Sequence, residues 1–165
     1  MQTIFLFQDR LRICLPENFS LIQSEKAAEI YPSLKRPQVI YADAGFSRFL
    51  TFSLLDKLLG SEETLNAAKE MRKLIWSLYP SSILSDVVSI RFGNLRCSGF
   101  SFRTGPQEEQ VFNTMCAVSL ENRLLLNTFG CGIDDEDGKT LLRQKIAETE
   151  YIKIELRDEV RYNGR

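Results

Sequence analysis

Apolar positions along this chain recur with two different periods, and the changes of period divide it into elements. Thr3 to Phe7 and Arg10 to Leu15 read as two short strands turning at Gln8-Asp9, and Pro16-Glu17-Asn18 ends the pairing because proline has no N–H to give a ladder. Ser24 stands where an N-cap belongs, so a short helix is expected from Glu25 to about Ile30, stopped at Tyr31-Pro32. Gln38 to Ala42 follows as an extended run, then turn chemistry at Asp43-Ala44-Gly45. In the next strand Leu50, Phe52 and Leu54 share one face while Thr51 and Ser53 lie on the other.

The period then lengthens. Leu65, Ala68, Met71, Ile75 and Leu78 recur at three- and four-residue steps, predicting a helix from Glu62 to Leu78 with two glutamates at its positive end and Pro80 as its stop. From Val87 it returns to two. Val88, Ile90 and Phe92 alternate with polar residues, Gly93-Asn94 turns the chain into Leu95 to Arg103, and Gln110 to Leu120 and Asn122 to Cys131 form two longer runs about Glu121-Asn122. The connections are too short for parallel crossovers, so residues 87–131 are expected as an antiparallel meander. Leu124 and Leu126 fall on one face and Leu125 and Phe129 on the other, which implies a sheet covered on both sides.

Asp134 to Asp137 load acid at the start of a second long helix, Asp137 to Glu150, with Leu141, Leu142 and Ile146 as its buried stripe. Ile152, Ile154 and Leu156 alternate as in a strand before a polar end. The organisation expected is one α+β domain over residues 1–152, a central antiparallel sheet flanked by helices on both faces, with 153–165 as a strand-like or frayed tail.

Composition narrows the function. The 165 residues contain no histidine, which removes the commonest general base, metal ligand and proton shuttle, and with it the usual activator of serine and cysteine nucleophiles. Lysine-activated and paired-carboxylate chemistry survive that exclusion. Twenty-one basic against 22 acidic residues leave a net charge of −1, so no global field draws the chain to nucleic acid or anionic lipid. Cys14, Cys97, Cys116 and Cys131 have no CxxC spacing and are expected as free thiols. With no signal segment and no run of about 18 apolar residues, the expected compartment is a reducing cytoplasm, and the source bacterial.

Several motifs fail on inspection. Around Ile133-Asp134-Asp135-Glu136-Asp137-Gly138, a calcium loop with Gly138 sixth would need acids where Ile133 and Gln144 stand. Ser98-Gly99-Phe100-Ser101-Phe102 lacks the leading basic residue and final aromatic of an RNA-recognition strand, so Phe100 and Phe102 are expected in the core. Gly99-Phe100-Ser101-Phe102-Arg103 lacks the closing glycine of a nucleophile elbow, and no glycine-rich nucleotide cradle occurs, so no cofactor is expected. Trp76, the sole tryptophan, reads as a core anchor, with an interface hot spot as the alternative.

Leu15-Pro16 with Phe19, Tyr31-Pro32 followed by Arg36-Pro37, the long helix ending before Pro80, Phe112-Asn113 opening a strand, and Leu124-Leu125-Leu126-Asn127-Thr128-Phe129 in the next resemble the PsbP-like superfamily. That family takes in the photosystem II extrinsic protein, a Ran-binding nucleotide-release factor, and bacterial relatives such as DcrB and the EagR-type secretion chaperones. The resemblance spans most of residues 3–152 and implies an α/β/α sandwich whose members mainly bind other proteins. It transfers no functional residue. The expectation is therefore a non-catalytic protein-binding, chaperone or adaptor module, with Tyr31, Lys35, Arg36 and Tyr41 as partner-binding candidates because cationic and aromatic groups cluster there. The rivals are a magnesium-dependent enzyme using Asp43 and Asp134 with Glu136, and a small-ligand carrier with a closed apolar cavity.

Overall fold

A computed structural model of the chain describes residues 1–31 and 36–157. Its strands are β1 (Gln2–Leu6), β2 (Leu11–Leu15), β3 (Ser20–Leu21), β4 (Val39–Ala42), β5 (Arg48–Leu58), β6 (Val88–Ser89), β7 (Cys97–Thr104), β8 (Val111–Leu120), β9 (Arg123–Gly132) and β10 (Glu150–Tyr151). Its helices are α1 (Ser24–Ile30), α2 (Thr64–Leu78) and α3 (Glu136–Ala147). A seven-stranded antiparallel sheet runs β3-β4-β5-β9-β8-β7-β6, and the opening hairpin pairs with β10 in a separate three-stranded sheet. The meander over residues 87–131 is present as β6 to β9, each strand paired with the next.

Alternate residues of the long strands enter different cores. Leu50, Phe52 and Leu54 of β5, Cys116, Val118 and Leu120 of β8, and Leu125 and Phe129 of β9 join Leu11, Ile13 and Leu15 of β2 and Leu142 and Ile146 of α3. The residues between them belong to clusters with α2: Ala117 and Leu124 meet Ala68, while Phe100 and Phe102 meet Ile75. Fully buried Ala68 and Ala117 have no side chain beyond Cβ, which lets α2 sit close on β7 and β8. Buried hydroxyls are matched there, with Thr64 and Ser98 3.1 Å apart and Ser119 donating to the Leu59 carbonyl at 2.8 Å.

The β8–β9 turn sets the register. Glu121 and Asn122 both take positive φ, 51° and 60°, as a two-residue hairpin turn of the required twist demands. Glutamate costs about 1 kcal/mol or more in that region. Here its carboxylate accepts from Arg10 Nε at 2.8 Å, from the Tyr151 hydroxyl at 2.7 Å and from Arg157, so the strained residue also ties down the β1–β2 turn and the segment 151–157. Burial tends to raise its pKa, but these donors outweigh burial and the net shift is downward.

Several expectations are corrected. Gln23, not Ser24, is the N-cap of α1, and it makes no side-chain cap bond. Ser24 is already the first helical residue. The opening turn is wider than Gln8-Asp9: Phe7, Gln8 and Asp9 are all left-handed, and the Arg10 N–H closes it onto the Phe7 carbonyl. β6 holds only Val88–Ser89, because Phe92 leaves the ladder to enter the main core and bridges Leu95 instead. Of the α2 stripe, Ala68 and Ile75 are buried, whereas Leu65 and Leu78 are exposed: β7 and β8 offer a surface narrower than the stripe. Trp76 is 61% exposed rather than in the core. Among the described residues strand pairing ends at Tyr151 and Ile154–Leu156 is a 3-10 turn held by Arg157, while residues 158–165 of the expected tail lie outside the described residues. All four cysteines are free, three of them buried.

Asp135 caps α3 by accepting from the Gly138 N–H at 2.9 Å. A Cβ at Gly138 would fall 2.1 Å from Asp135 Oδ2 and 2.8 Å from Arg48 Nε. Gly→Ala inside a helix ordinarily stabilises by about 1 kcal/mol. Gly138→Ala is expected to do the opposite, losing about 1–2 kcal/mol as the cap is displaced, measured by urea denaturation. An unchanged or raised midpoint would remove the cap from the account.

Candidate functional site

The face of the large sheet on which α2 rests is only partly covered. Beyond the end of α2 it presents Phe49 and Thr51 of β5, Thr128 of β9, Asn113 and Met115 of β8, and Phe102 of β7. These stand side by side because Thr51 pairs with Thr128 and Thr128 with Met115, while Phe102 pairs with Asn113. Ile30 and Tyr31 at the end of α1 wall one side, Ile75 and Tyr79 at the end of α2 the other, and the Gly45–Phe49 turn closes one end. The result is an open groove of about 890 Å³.

Local chemistry shapes this wall. Gly130 leaves the floor without a side chain, and a Cβ there would lie 2.7 Å from the Phe49 ring, so glycine is what lets that ring lie on the sheet. Phe46 stacks on Phe49 with centroids 5.4 Å apart and planes 14° from parallel. Phe46 holds φ at +54°, a conformation aromatic residues seldom take, and the stack offsets part of that cost. The turn itself is tied by Asp43, which accepts from the Ser47 N–H at 2.7 Å and the Arg48 N–H at 3.2 Å. Arg48 in turn makes a two-pronged bond to Asp135, at 2.7 and 2.9 Å, linking the groove wall to the start of α3.

The groove offers recognition chemistry. Thr51 Oγ1 donates to the Thr128 carbonyl at 3.3 Å, and Asn113 donates through Nδ2 to Thr104 Oγ1 at 3.0 Å. Burial raises the Tyr31 phenol pKa, so it stays a neutral hydrogen-bonding group at physiological pH. Glu109 is the one charged residue among the described groove-lining residues. Asp43, Asp134 and Glu136 lie outside the lining: Asp43 is engaged by its turn and Glu136 pairs with Lys139 at 2.8 Å. Among the described residues no three carboxylate or cysteine side chains gather closely enough to share a metal ion.

The three described partner-binding candidates, Tyr31, Arg36 and Tyr41, are not brought to one place. Tyr31 is half-buried in the groove wall. Arg36 lines a smaller hollow on the far side of Pro37, beside Ala27 and Ile40. Tyr41, paired with Leu50, packs against the main core on the opposite face of the sheet. Lys35 lies outside the described residues. Phe46, Phe49, Asn113 and Thr128 escaped sequence reasoning, although Thr51 and Ser53 alternating with leucine and phenylalanine marked the open face.

No family model matches the sequence, and no curated protein matches it. Solved structures do. The cyanobacterial PsbP protein CyanoP from Synechocystis sp. PCC 6803 superposes with a TM-score of 0.60 over 92% of either chain, at 12% identity. The chain has a PsbP-like fold. A Bacteroides thetaiotaomicron protein gives the same TM-score at 8% identity over 93% of this PsbP-like chain, which spans about half that protein, 49% of its length. LpqN of Mycobacterium tuberculosis, described as involved in cell envelope biogenesis, aligns more loosely, with a TM-score of 0.48 at 13% identity over 87% of this chain and 83% of its own.

The Asp135 carboxyl is held below its ordinary pKa by the bond from Arg48, against the opposing effect of burial. A carboxyl with a lower pKa folded than unfolded gives its full stabilisation above the unfolded value of about 4 and loses it as pH falls toward the folded value. The urea midpoint is therefore expected to fall below about pH 4, and to fall less steeply in Arg48→Gln. Identical pH profiles for the two proteins would show that this pair contributes nothing.

Proposed function

We propose that this protein is a non-catalytic binding module of the chaperone or adaptor kind, an α/β/α sandwich with helices over both sheet faces, whose groove takes an extended apolar segment of a protein partner. The observation that supports it most is the lining of the groove: Tyr31, Phe46, Phe49, Tyr79 and Phe102 supply aromatic surface, Thr51, Thr128 and Asn113 polar groups, and Glu109 a single charge. Such a surface suits side chains and peptide amides together, and aromatic residues are enriched where proteins meet. The PsbP-like neighbours agree with an accessory or binding role.

Within this reading Tyr31 contacts the partner directly, and Arg36, with Lys35 next to it in sequence, extends the surface past Pro37. Tyr41 acts through the core. A reducing bacterial cytoplasm suits the four unpaired thiols. Neither nucleic acid nor membrane is assigned to the groove, since the one charge among its described lining residues is negative. The carboxylate-enzyme reading is not favoured, because Asp43 and Glu136 are spent on local bonds. The carrier reading wants a closed cavity, and this one is open.

Selection from a random peptide library is expected to recover apolar, uncharged or basic sequences whose amide-shift footprint covers Tyr31, Phe46 to Phe49, Phe102 and Asn113 to Met115. Thr128→Trp fills the floor and is expected to weaken them about tenfold or more without lowering the melting temperature beyond a few degrees. Peptides that bind Thr128→Trp equally well, or a footprint elsewhere, would refute the assignment. So would a small apolar molecule binding the groove in preference to every peptide.

A further inference from the structure

The two helices beside the groove run into the same sequence, an aliphatic residue followed by Tyr-Pro-Ser: Ile30-Tyr31-Pro32-Ser33 after α1 and Leu78-Tyr79-Pro80-Ser81 after α2. Proline cannot extend a helix and keeps the residue before it out of helical geometry, so each tyrosine becomes a C-cap. The two caps are alike, with φ −121° and ψ 84° at Tyr31 and φ −130° and ψ 69° at Tyr79. Each cap N–H closes at 2.8 Å onto the carbonyl four residues back, Tyr31 onto Ala27 and Tyr79 onto Ile75. One local stop, used twice, sets a tyrosine on each wall of the groove and brings both helices to it by their C-terminal ends.

Those ends have carbonyls without helical partners and carry partial negative charge, and neither helix has a basic residue in its last turn to offset it. The rest of the described lining has the same sign. Glu109 is its one charged side chain, and among the described residues nothing is bonded to that carboxylate. Tyr31, Phe46, Phe49, Tyr79 and Phe102 add rings, whose faces attract cations.

The described cations nearby are engaged or face elsewhere. Arg48 is bonded to Asp135, Lys139 is paired with Glu136, and Arg36 lines the hollow beyond Pro37. Arg103 borders a second hollow with Tyr79, Thr104 and Gln110, where Ser82 Oγ accepts from its N–H at 3.1 Å and donates to its carbonyl at 2.6 Å. Phe102 and Thr104 on either side of it both line the groove, so strand alternation starts the Arg103 side chain from the other face of the sheet. Because Gln110 shares that hollow with Tyr79, the acidic turn Gln107–Glu109 stands at the Tyr79 end of the groove.

Resting on the reading of the groove as a peptide site, we propose that it selects its protein partner through a lysine or arginine side chain set among apolar neighbours in the partner's extended segment. The cation sits at the Tyr79 end against Glu109, and its aliphatic stem lies along the aromatic rings. A neutral segment leaves the carboxylate and the helix-end carbonyls without a counter-charge, and an acidic one meets like charge.

The probe is a short synthetic peptide, blocked at both ends, with one lysine among leucine, threonine and serine. Its controls carry norleucine or glutamate in place of the lysine, and anisotropy of a dye on the peptide reads binding. The lysine peptide is expected to bind about tenfold more tightly than the norleucine one and more tightly still than the glutamate one. That advantage is expected to shrink at about 0.3 M salt. Glu109→Gln is expected to remove most of it, and Glu109→Lys, checked for unchanged circular dichroism, to favour the glutamate peptide. Tyr79→Phe keeps the ring and is expected to keep the advantage, whereas Tyr79→Leu is expected to lose about threefold. A norleucine peptide that binds the groove as tightly as the lysine peptide overturns the selection and leaves the peptide site standing, while absence of binding by all three overturns both. The selection is equally overturned if Glu109→Lys still prefers lysine, or if phosphatidylcholine vesicles bind the protein and the lysine peptide does not.

Discussion

Side-chain alternation in β5, β9 and β8 commits each strand to two packing layers at once. One set of residues joins the hairpin sheet and α3, and the intervening set joins α2 or is left open. A slip of one residue would exchange the two sets, sending Phe129 and Leu125 to the face with the groove and Thr128 into the core. The cost of burying that hydroxyl and exposing those apolar groups keeps the register unique. The left-handed pair Glu121-Asn122 enforces the same register from the end of the hairpin, and the Arg10, Tyr151 and Arg157 contacts to Glu121 make three separate parts of the chain depend on it.

The groove follows from an imbalance of widths. A helix packs about 10 Å from its neighbours and strands lie about 4.8 Å apart, so one helix covers roughly two strands. α2 takes β7 and β8. The short α1 lies toward β4, with Ala27 and Ile40 lining one hollow, and the middle strands between the two helices are left uncovered near their Phe49 and Thr128 positions. Side chains there match their setting: threonine, asparagine and edge-lying aromatics tolerate both water and an apolar occupant. The alternate residues of these strands, which cluster with the hairpin and α3 side chains, are buried leucine, valine and phenylalanine.

Electrostatics adds local anchoring. With one net charge over the chain, the useful pairs are specific ones. Arg48 bridges the β4–β5 turn to the capped start of α3, so the aromatic wall of the groove and α3 share one ion pair. On α2 the pairing is local, Lys73 with Glu70 at 3.3 Å and Arg72 with the Ser85 carbonyl at 2.7 Å.

Much of the fold was legible from periodicity. The period-two runs of β7, β8 and β9 and the acid-led start of α3 specify their structures locally, since alternation and helix-end charge act within a few residues. Thr51 and Ser53 opposite Leu50 and Phe52 even hinted at an open face. The α2 pattern, by contrast, named five apolar positions and could not say that only a narrow surface waited beneath them, so Leu65, Leu78 and Trp76 were assigned inward. Tyr31 and Tyr41, ten residues apart, end on opposite faces of one sheet, and Phe49 meets Asn113 and Thr128 through β9, separations no local pattern encodes. Element type was determined by the sequence itself, through backbone sterics and side-chain period. What lies over each face, and hence which residues form a site, was decided only by the tertiary structure, because coverage depends on how few helices must share how many strands.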